Sequence, residues 1–265
     1  MIFINFFIIF IFGTIIGSFL NVLVLRYGTS LSIVHGCSRC FSCSKELHWY
    51  ELIPLFSFMM LGGKCLGCNS KISYQYPLVE FITGLIFLGT FWVIGLTPIL
   101  PIYLLTVSVL IAMAVYDFKH KIIPDGMVFV FSILALIILF IKNGASFQIL
   151  FSNGLLDLLA GPILFLFFAT LWFMGRGKWM GFGDAKLALG VGWMLGFSGG
   201  IFAIILAFWI GAAVSLIILG LEKLKLSKLK LSFKSEIPFA PFIILSLFIQ
   251  LMTTWSLHNI IYFLN

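Results

Sequence analysis

The sequence predicts an all-α integral membrane protein of about eight transmembrane helices, with a small polar, cysteine-bearing domain between the first and the second. Three observations carry this. Of 265 residues, 62% are hydrophobic and only 9% are Asp, Glu, Lys or Arg, against about 25% charged in an ordinary soluble domain. With a mean hydropathy of +1.19 the chain has too little charged surface to coat a water-soluble globule, which excludes a soluble enzyme, a nucleic-acid binder and a disordered chain. The apolar residues fall in runs of membrane-crossing length, and all five cysteines lie between Cys37 and Cys68.

A bilayer core about 30 Å thick takes roughly 20 apolar residues per helix. Residues 1–25 are the first such run, and without a basic start or a small-residue cleavage site they read as a retained helix rather than a signal peptide. Residues 26–76 turn polar and basic; a domain of about 50 residues needs a metal or disulfides to hold its core. The third region, residues 77–265, is a transmembrane core with apolar runs near 77–96, 100–116, 127–141, 155–174, 185–197, 201–221 and 237–263. Ser198-Gly199-Gly200 is expected to form a tight turn between two of these, one long tilted span being the alternative.

Charge tests that count. With eight spans, the loops 26–76, 117–126, 175–186 and 222–236 share one side and hold all of the 16 Lys and Arg except Lys142. A missed or invented span would scatter the downstream charges over both sides. The net charge of +7 therefore records orientation, with the basic loops and the cysteine domain in the cytoplasm. The segment 221–234 interleaves leucine and lysine, which suits an anionic lipid surface.

Cys40 and Cys43 form one C-x-x-C pair, Cys65 and Cys68 a second, and 21 residues separate them. Each pair places two thiolates on a tight knuckle, and two knuckles complete the sulfur tetrahedron that zinc favours. Stable disulfides are rare in the reducing cytoplasm, so structural zinc is the expectation, with no open position for hydrolysis. Cys37, His35 and His48 are further candidate ligands.

Nine acidic residues are few enough to weigh singly. Glu46, Glu51, Glu222 and Glu236 lie in polar loops. Asp157 is placed to favour a helix dipole, and Asp125, after Pro124, to cap a helix beginning near Met127. Asp117 closes one apolar run and Asp184 opens another, so both sit at the inner edge of the hydrocarbon, where an ionisable group is costly and a functional candidate. Two carboxyl groups brought within about 3 Å cannot both ionise and share a proton, the apparatus of an aspartic protease. Gly181 and Gly183 beside Asp184 would admit a peptide backbone. Glu80, near the inner end of the second span, is expected to pair with Arg26, Lys119 or Lys186, or to bind substrate.

Taken in order, GSFLNVLVLR (17–26), the two C-x-x-C pairs, HWYELIPLFSFMMLGGKC (48–65), ISYQYPLVEFITG (72–84), Asp117 with Pro124-Asp125, MGFGDAKLALG (180–190) and IPFAPF (237–242) resemble the bacterial type IV prepilin peptidases, also called leader peptidases. The resemblance implies that Asp117 and Asp184 are the catalytic pair, that Asp125 is a motif residue outside it, and that the cysteine pairs hold zinc. It implies a substrate, a type IV prepilin or pseudopilin cut after a glycine on the cytoplasmic face of the bacterial inner membrane. It also implies N-methylation of the new amino terminus with S-adenosylmethionine, although the residues themselves show no glycine-rich nucleotide loop. Glu51 stands where the family often has Asp, Ala240 where it often has Gly, and Cys37 has no counterpart. The rival class is a transporter with Asp117, Asp184 and Glu80 along an ion path, which would place charge at the midplane and commonly repeat in two halves. A non-catalytic scaffold with a partner-binding zinc domain is a third reading.

Overall fold

The computed structural model describes residues 2–29, 31–144, 154–223 and 238–264. Its elements are α1 (Ile2–Arg26), a 3-10 turn (Trp49–Leu52), α2 (Phe56–Met60), α3 (Gln75–Ile94), α4 (Leu100–His120), α5 (Asp125–Lys142), α6 (Leu155–Met174), α7 (Phe182–Lys223) and α8 (Ala240–Leu264). Among the described residues, six helices are long and apolar enough to cross a bilayer, and the apolar part of α8 is shorter. The chain is a multi-pass helical membrane protein. The basic segment 224–234 lies outside the described residues, as does the polar residue Glu236. The chain forms two compact units, Met1–Ala112 and Met113–Asn265.

In the first unit α1 and α3 run antiparallel at very close range. A Cβ on Gly17 would lie 2.7 Å from the Glu80 Cα, and one on Gly13 would lie 2.8 Å from the Gly84 Cα. Because lipid tails are as apolar as Leu, membrane helices associate through such small-residue packing rather than through hydrophobic burial. Asn21 adds a polar tie, its Nδ2 donating to the Tyr76 carbonyl at 3.2 Å.

The cysteine domain between them is built from two copies of one device. Bridges Arg39↔Glu46 and Lys64↔Lys71 close two short hairpins. In the first, the Cys40 N–H donates to the Lys45 carbonyl and the Ser44 N–H to the Cys40 carbonyl; in the second, Cys65 N–H to Ser70 and Asn69 N–H to Cys65 repeat the pattern, all at 2.9–3.0 Å. Ser44 and Asn69 take positive φ, 57° and 54°, at the matching position. C-x-x-C spacing thus appears as a turn that throws both thiols to one side.

In the second unit, α7 is two helices. Gly196 is non-helical (φ 76°, ψ −177°), and a Cβ on Gly200 would meet the Gly192 Cα at 3.3 Å. A straight helix separates residues eight apart by about 12 Å, so the chain reverses here. The expected break is present, at Gly196 instead of Ser198–Gly200, and the two arms of α7 with α8 make up the eight apolar segments.

What sets the break is a side chain missed in the sequence. Asp157 at the start of α6 accepts the Phe197 N–H at 2.9 Å, and a Cβ on Gly196 would sit 2.6 Å from the Asp157 Oδ1. Lys142 Nζ donates to the Met194 carbonyl at 3.1 Å beside it. Asp157 therefore caps a neighbouring helix arm rather than serving only its own dipole. The first arm packs on α6 through glycines: a Cβ on Gly192 would lie 2.6 Å from the Ala160 carbonyl carbon, and Trp193 donates to the Leu158 carbonyl at 2.9 Å.

Candidate active site and metal centre

Asp117 lies on the last turns of α4, which continues to His120, and Asp184 is the third residue of α7. Both are buried, at 4% and 6% exposure. They belong to the same unit, and each carboxyl is near enough for Asp117 to act electrostatically on Asp184. The Asp184 N–H donates to the Gly181 carbonyl at 3.2 Å, which forms the turn that starts the helix.

The two glycines beside Asp184 differ in what surrounds them. A Cβ on Gly181 would find open space apart from the Asp184 Oδ2 at 3.7 Å and the Gly183 N at 3.9 Å. On Gly183 it would meet Ile123 at 3.0 Å. Gly181 thus keeps room at the carboxylate, while Gly183 lets the α4–α5 connection pass close to the start of α7.

Asp125 begins α5 itself, two residues earlier than expected, with Pro124 as the preceding cap residue. Its carboxylate pairs with Lys186 Nζ at 2.7 Å instead of capping a helix. Lys186 also lies over the Phe182 ring, 5.3 Å from its centre. The pair clips the start of α5 to the start of α7.

Glu80, at 7% exposure, is engaged otherwise than expected. Its Oε2 accepts the Leu55 N–H at 2.9 Å, holding a residue whose φ of +61° is uncommon for a side chain with a Cβ. Arg26 instead donates to the carbonyls of Ser32, His35 and Cys37, and Lys186 is taken by Asp125. Glu51, read as a solvated loop charge, is buried too: it accepts the His48 N–H at 2.9 Å and lies 3.4 Å from Lys45 Nζ. Those contacts, the backbone one first, hold its carboxyl below the usual range.

Cys40, Cys43, Cys65 and Cys68 converge, their sulfurs all within 4.8 Å of one another. A tetrahedral site with metal–sulfur bonds of about 2.3 Å has sulfur–sulfur edges of about 3.8 Å. Cys40 Sγ and Cys68 Sγ are 3.8 Å apart. Backbone N–H groups of Cys43 and Ser42, with the Ser70 hydroxyl, pull the Cys40 thiol down to about 6, which favours the thiolate a metal needs. Cys37 is exposed and outside this cluster, and neither His35 nor His48 joins it. All described cysteines are free thiols. The donor set fits zinc.

Fold and site together define a polytopic membrane protein with a four-cysteine metal-type knuckle domain and a buried pair of carboxyl groups at helix ends. The profile of the bacterial peptidase A24 N-terminal domain matches residues 11–94, and that of the type IV leader peptidase family matches residues 104–216. Among similar proteins, the prepilin leader peptidase/N-methyltransferase of Pseudomonas aeruginosa is 30% identical over 272 residues, covering 91% of this chain and 87% of that protein. Its namesake from Bacillus subtilis is 35% identical over 190 residues, 71% of this chain and 73% of that protein. A third, from Myxococcus xanthus, is 44% identical over 119 residues, 45% of this chain and 36% of that protein. No solved structure matches. This chain belongs to the type IV leader peptidase family, and its class is that of the prepilin leader peptidases, which sets the transporter reading aside.

Proposed function

We propose that the protein is an aspartic endopeptidase in which Asp117 and Asp184 cleave the leader of a type IV prepilin or pseudopilin after a glycine, and that it also methylates the amino terminus so released. What supports the first part is that two buried carboxyl groups, from α4 and α7, lie near enough to act electrostatically on one another inside the segment that the leader peptidase profile covers. The ionised member takes a proton from a water as that water attacks the glycyl carbonyl. The protonated member donates a hydrogen bond to the carbonyl oxygen, and its proton later serves the leaving amine. Gly181 leaves the space in which the scissile backbone lies, and the Asp125–Lys186 pair steadies the start of α7 beside it.

Fifteen of the 16 basic residues fall in loops that an eight-span count puts on one side, which supports a cytoplasmic position for this end at a bacterial inner membrane. Zinc held by Cys40, Cys43, Cys65 and Cys68 would stabilise the domain that two short hairpins alone could not. Methylation rests on the relatives' shared name. When bound, S-adenosylmethionine supplies the methyl group: the neutral amine's lone pair takes it, the carbon–sulfur bond breaks, and its electron pair stays on sulfur.

The test is cleavage of a prepilin in membranes by Asp117→Asn and Asp184→Asn. Each is expected to abolish processing, since neither group of a shared-proton pair works alone. Processing by either variant at the normal rate would overturn the assignment.

A further inference from the structure

Lys142 and Asp157 are two charges that no step of the proposed proteolysis uses. Lys142 is the one basic residue that the eight-span count leaves on the outer side, where a Lys ordinarily turns its ammonium to water. Here its Nζ donates instead to the Met194 carbonyl at 3.1 Å, and Asp157 lies near enough to act on it electrostatically. Asp157 in turn accepts the Phe197 N–H at 2.9 Å.

Both ties fall on the break in α7. A helix that stops leaves its last carbonyls without intrahelical partners, and one that starts leaves its first N–H groups in the same state. The Met194 carbonyl is of the first kind and the Phe197 N–H of the second, one on either side of Gly196. A cation at the closing end and an anion at the opening end also suit the two helix dipoles. Gly196 is fitted to this arrangement: its φ of 76°, and the 2.6 Å that would separate a Cβ from the Asp157 Oδ1, both call for glycine.

The arm pinned in this way is the one that carries Asp184. Residues 182–195 span about 21 Å, with Asp184 in the first turn and the pin at the far end. Packing sets how near this arm lies to its neighbours, since Gly190 faces the Phe131 ring of α5 and Gly192 the Ala160 backbone of α6. Polar ties set where along its axis it stops. Lys186 to Asp125 is the tie at one end; at the other are the Lys142 and Asp157 contacts, with Trp193 donating to the Leu158 carbonyl beside them. A slip of one residue would carry Asp184 about 1.5 Å along the axis and about 100° around it.

We propose that Lys142 and Asp157 are positioning residues for cleavage: by pinning the far end of this arm they fix the register at which Asp184 meets Asp117. The proposal rests on the assignment of that pair to proteolysis and adds what holds one member in place. Lys142 and Asp157 act through Asp184, about 15 Å away along the arm, and not on the substrate.

Initial-rate cleavage of a prepilin by the full-length protein in lipid nanodiscs, followed across pH, tests this beside thermal unfolding of the same samples. Asp157→Ala removes the acceptor, Lys142→Met keeps the length of the side chain and removes the donor, and Asp157→Asn keeps an oxygen for the Phe197 N–H. A displacement of about 1 Å costs about a hundredfold in rate, and the Trp193 tie remains, so kcat per folded protein should fall at least about tenfold in the first two variants with KM within about twofold. The pH profile should change in shape as well, because the apparent pKa values of a proton-sharing pair depend on its separation. A smaller folded fraction would only lower the profile at every pH alike. Asp157→Asn, which keeps the hydrogen bond, should stay within about threefold of the wild-type kcat.

Unchanged kcat and profile in Asp157→Ala and Lys142→Met would overturn the proposal and leave Asp117 and Asp184 as assigned. A lower rate with the wild-type profile shape would overturn it too, because the pin would then serve folding alone. Asp157→Asn as slow as Asp157→Ala would have the same force. If Asp157→Ala does not fold, Lys142→Met decides, and failure of both to fold would assign the pin to folding and end the proposal. Absence of cleavage by the wild type would remove the proteolytic reading, and this proposal with it.

Discussion

Replacing Gly181 by alanine separates the room beside Asp184 from the stability of the fold. The added Cβ would lie 3.7 Å from the Asp184 Oδ2 and 3.9 Å from the Gly183 N, both ordinary contact distances, and Gly181 does not have a positive φ. Stability should therefore change by no more than about 0.5 kcal/mol. Gly183→Ala differs, because its Cβ would press on Ile123 at 3.0 Å, and overpacking of that kind costs about 1 kcal/mol or more. The catalytic effect runs the other way. The new methyl of Gly181→Ala stands where a scissile backbone must come within reach of the carboxylate, and a displacement of about 1 Å costs about a hundredfold in rate, or about 2.7 kcal/mol. The assay is initial-rate cleavage of a prepilin in nanodiscs beside thermal unfolding of the same samples. The expected result for Gly181→Ala is cleavage down about a hundredfold with an unchanged melting temperature. Wild-type cleavage by that variant would refute the placement of substrate beside Asp184; a parallel fall in melting temperature would mean that the glycine serves packing.

Two further expectations follow from the same geometry. Cys65→Ser, which removes one of the four converging sulfurs, should abolish the one zinc per chain measured by elemental analysis; in the wild type zinc should be retained at neutral pH and released as acid protonates the thiolates, since proton and metal compete for the same sulfur. Gly192→Leu should prevent assembly of the second unit, because its Cβ alone would fall 2.6 Å from Ala160 backbone that cannot move aside, and the yield of monodisperse protein after extraction is the measure.

Much of the architecture was legible because its causes are local. Apolar runs of bilayer length and basic residues confined to alternate loops follow from the cost of placing charge in hydrocarbon, and each is read one segment at a time. The C-x-x-C pairs were legible for a similar reason: two residues between cysteines is a turn, and the turn's hydrogen bonds are the same in both hairpins. Misreadings came where a partner lies far along the chain. Ser198-Gly199-Gly200 carries more turn signal than Gly196, yet the break falls at Gly196 because Asp157, some forty positions earlier, accepts the freed N–H. Of the two roles expected of Glu80, pairing with a cation or binding substrate, the first gave way to the N–H of Leu55; Asp125 looked like a cap and met Lys186. No spacing rule contains those pairs.

From the sequence alone came the class of the molecule: a helical membrane protein, a sulfur tetrad, two acidic residues at helix ends and the order of motifs that marks the leader peptidases. These depend on the water-to-lipid transfer cost and on short-range chain geometry, which every residue carries with it. The tertiary structure alone decided which acids are buried, that Asp117 and Asp184 feel one another, and that α7 reverses. Each of these is a distance between residues remote in the chain, set by glycine contacts that let backbones close to within a methyl group, and such distances exist only once the helices have packed.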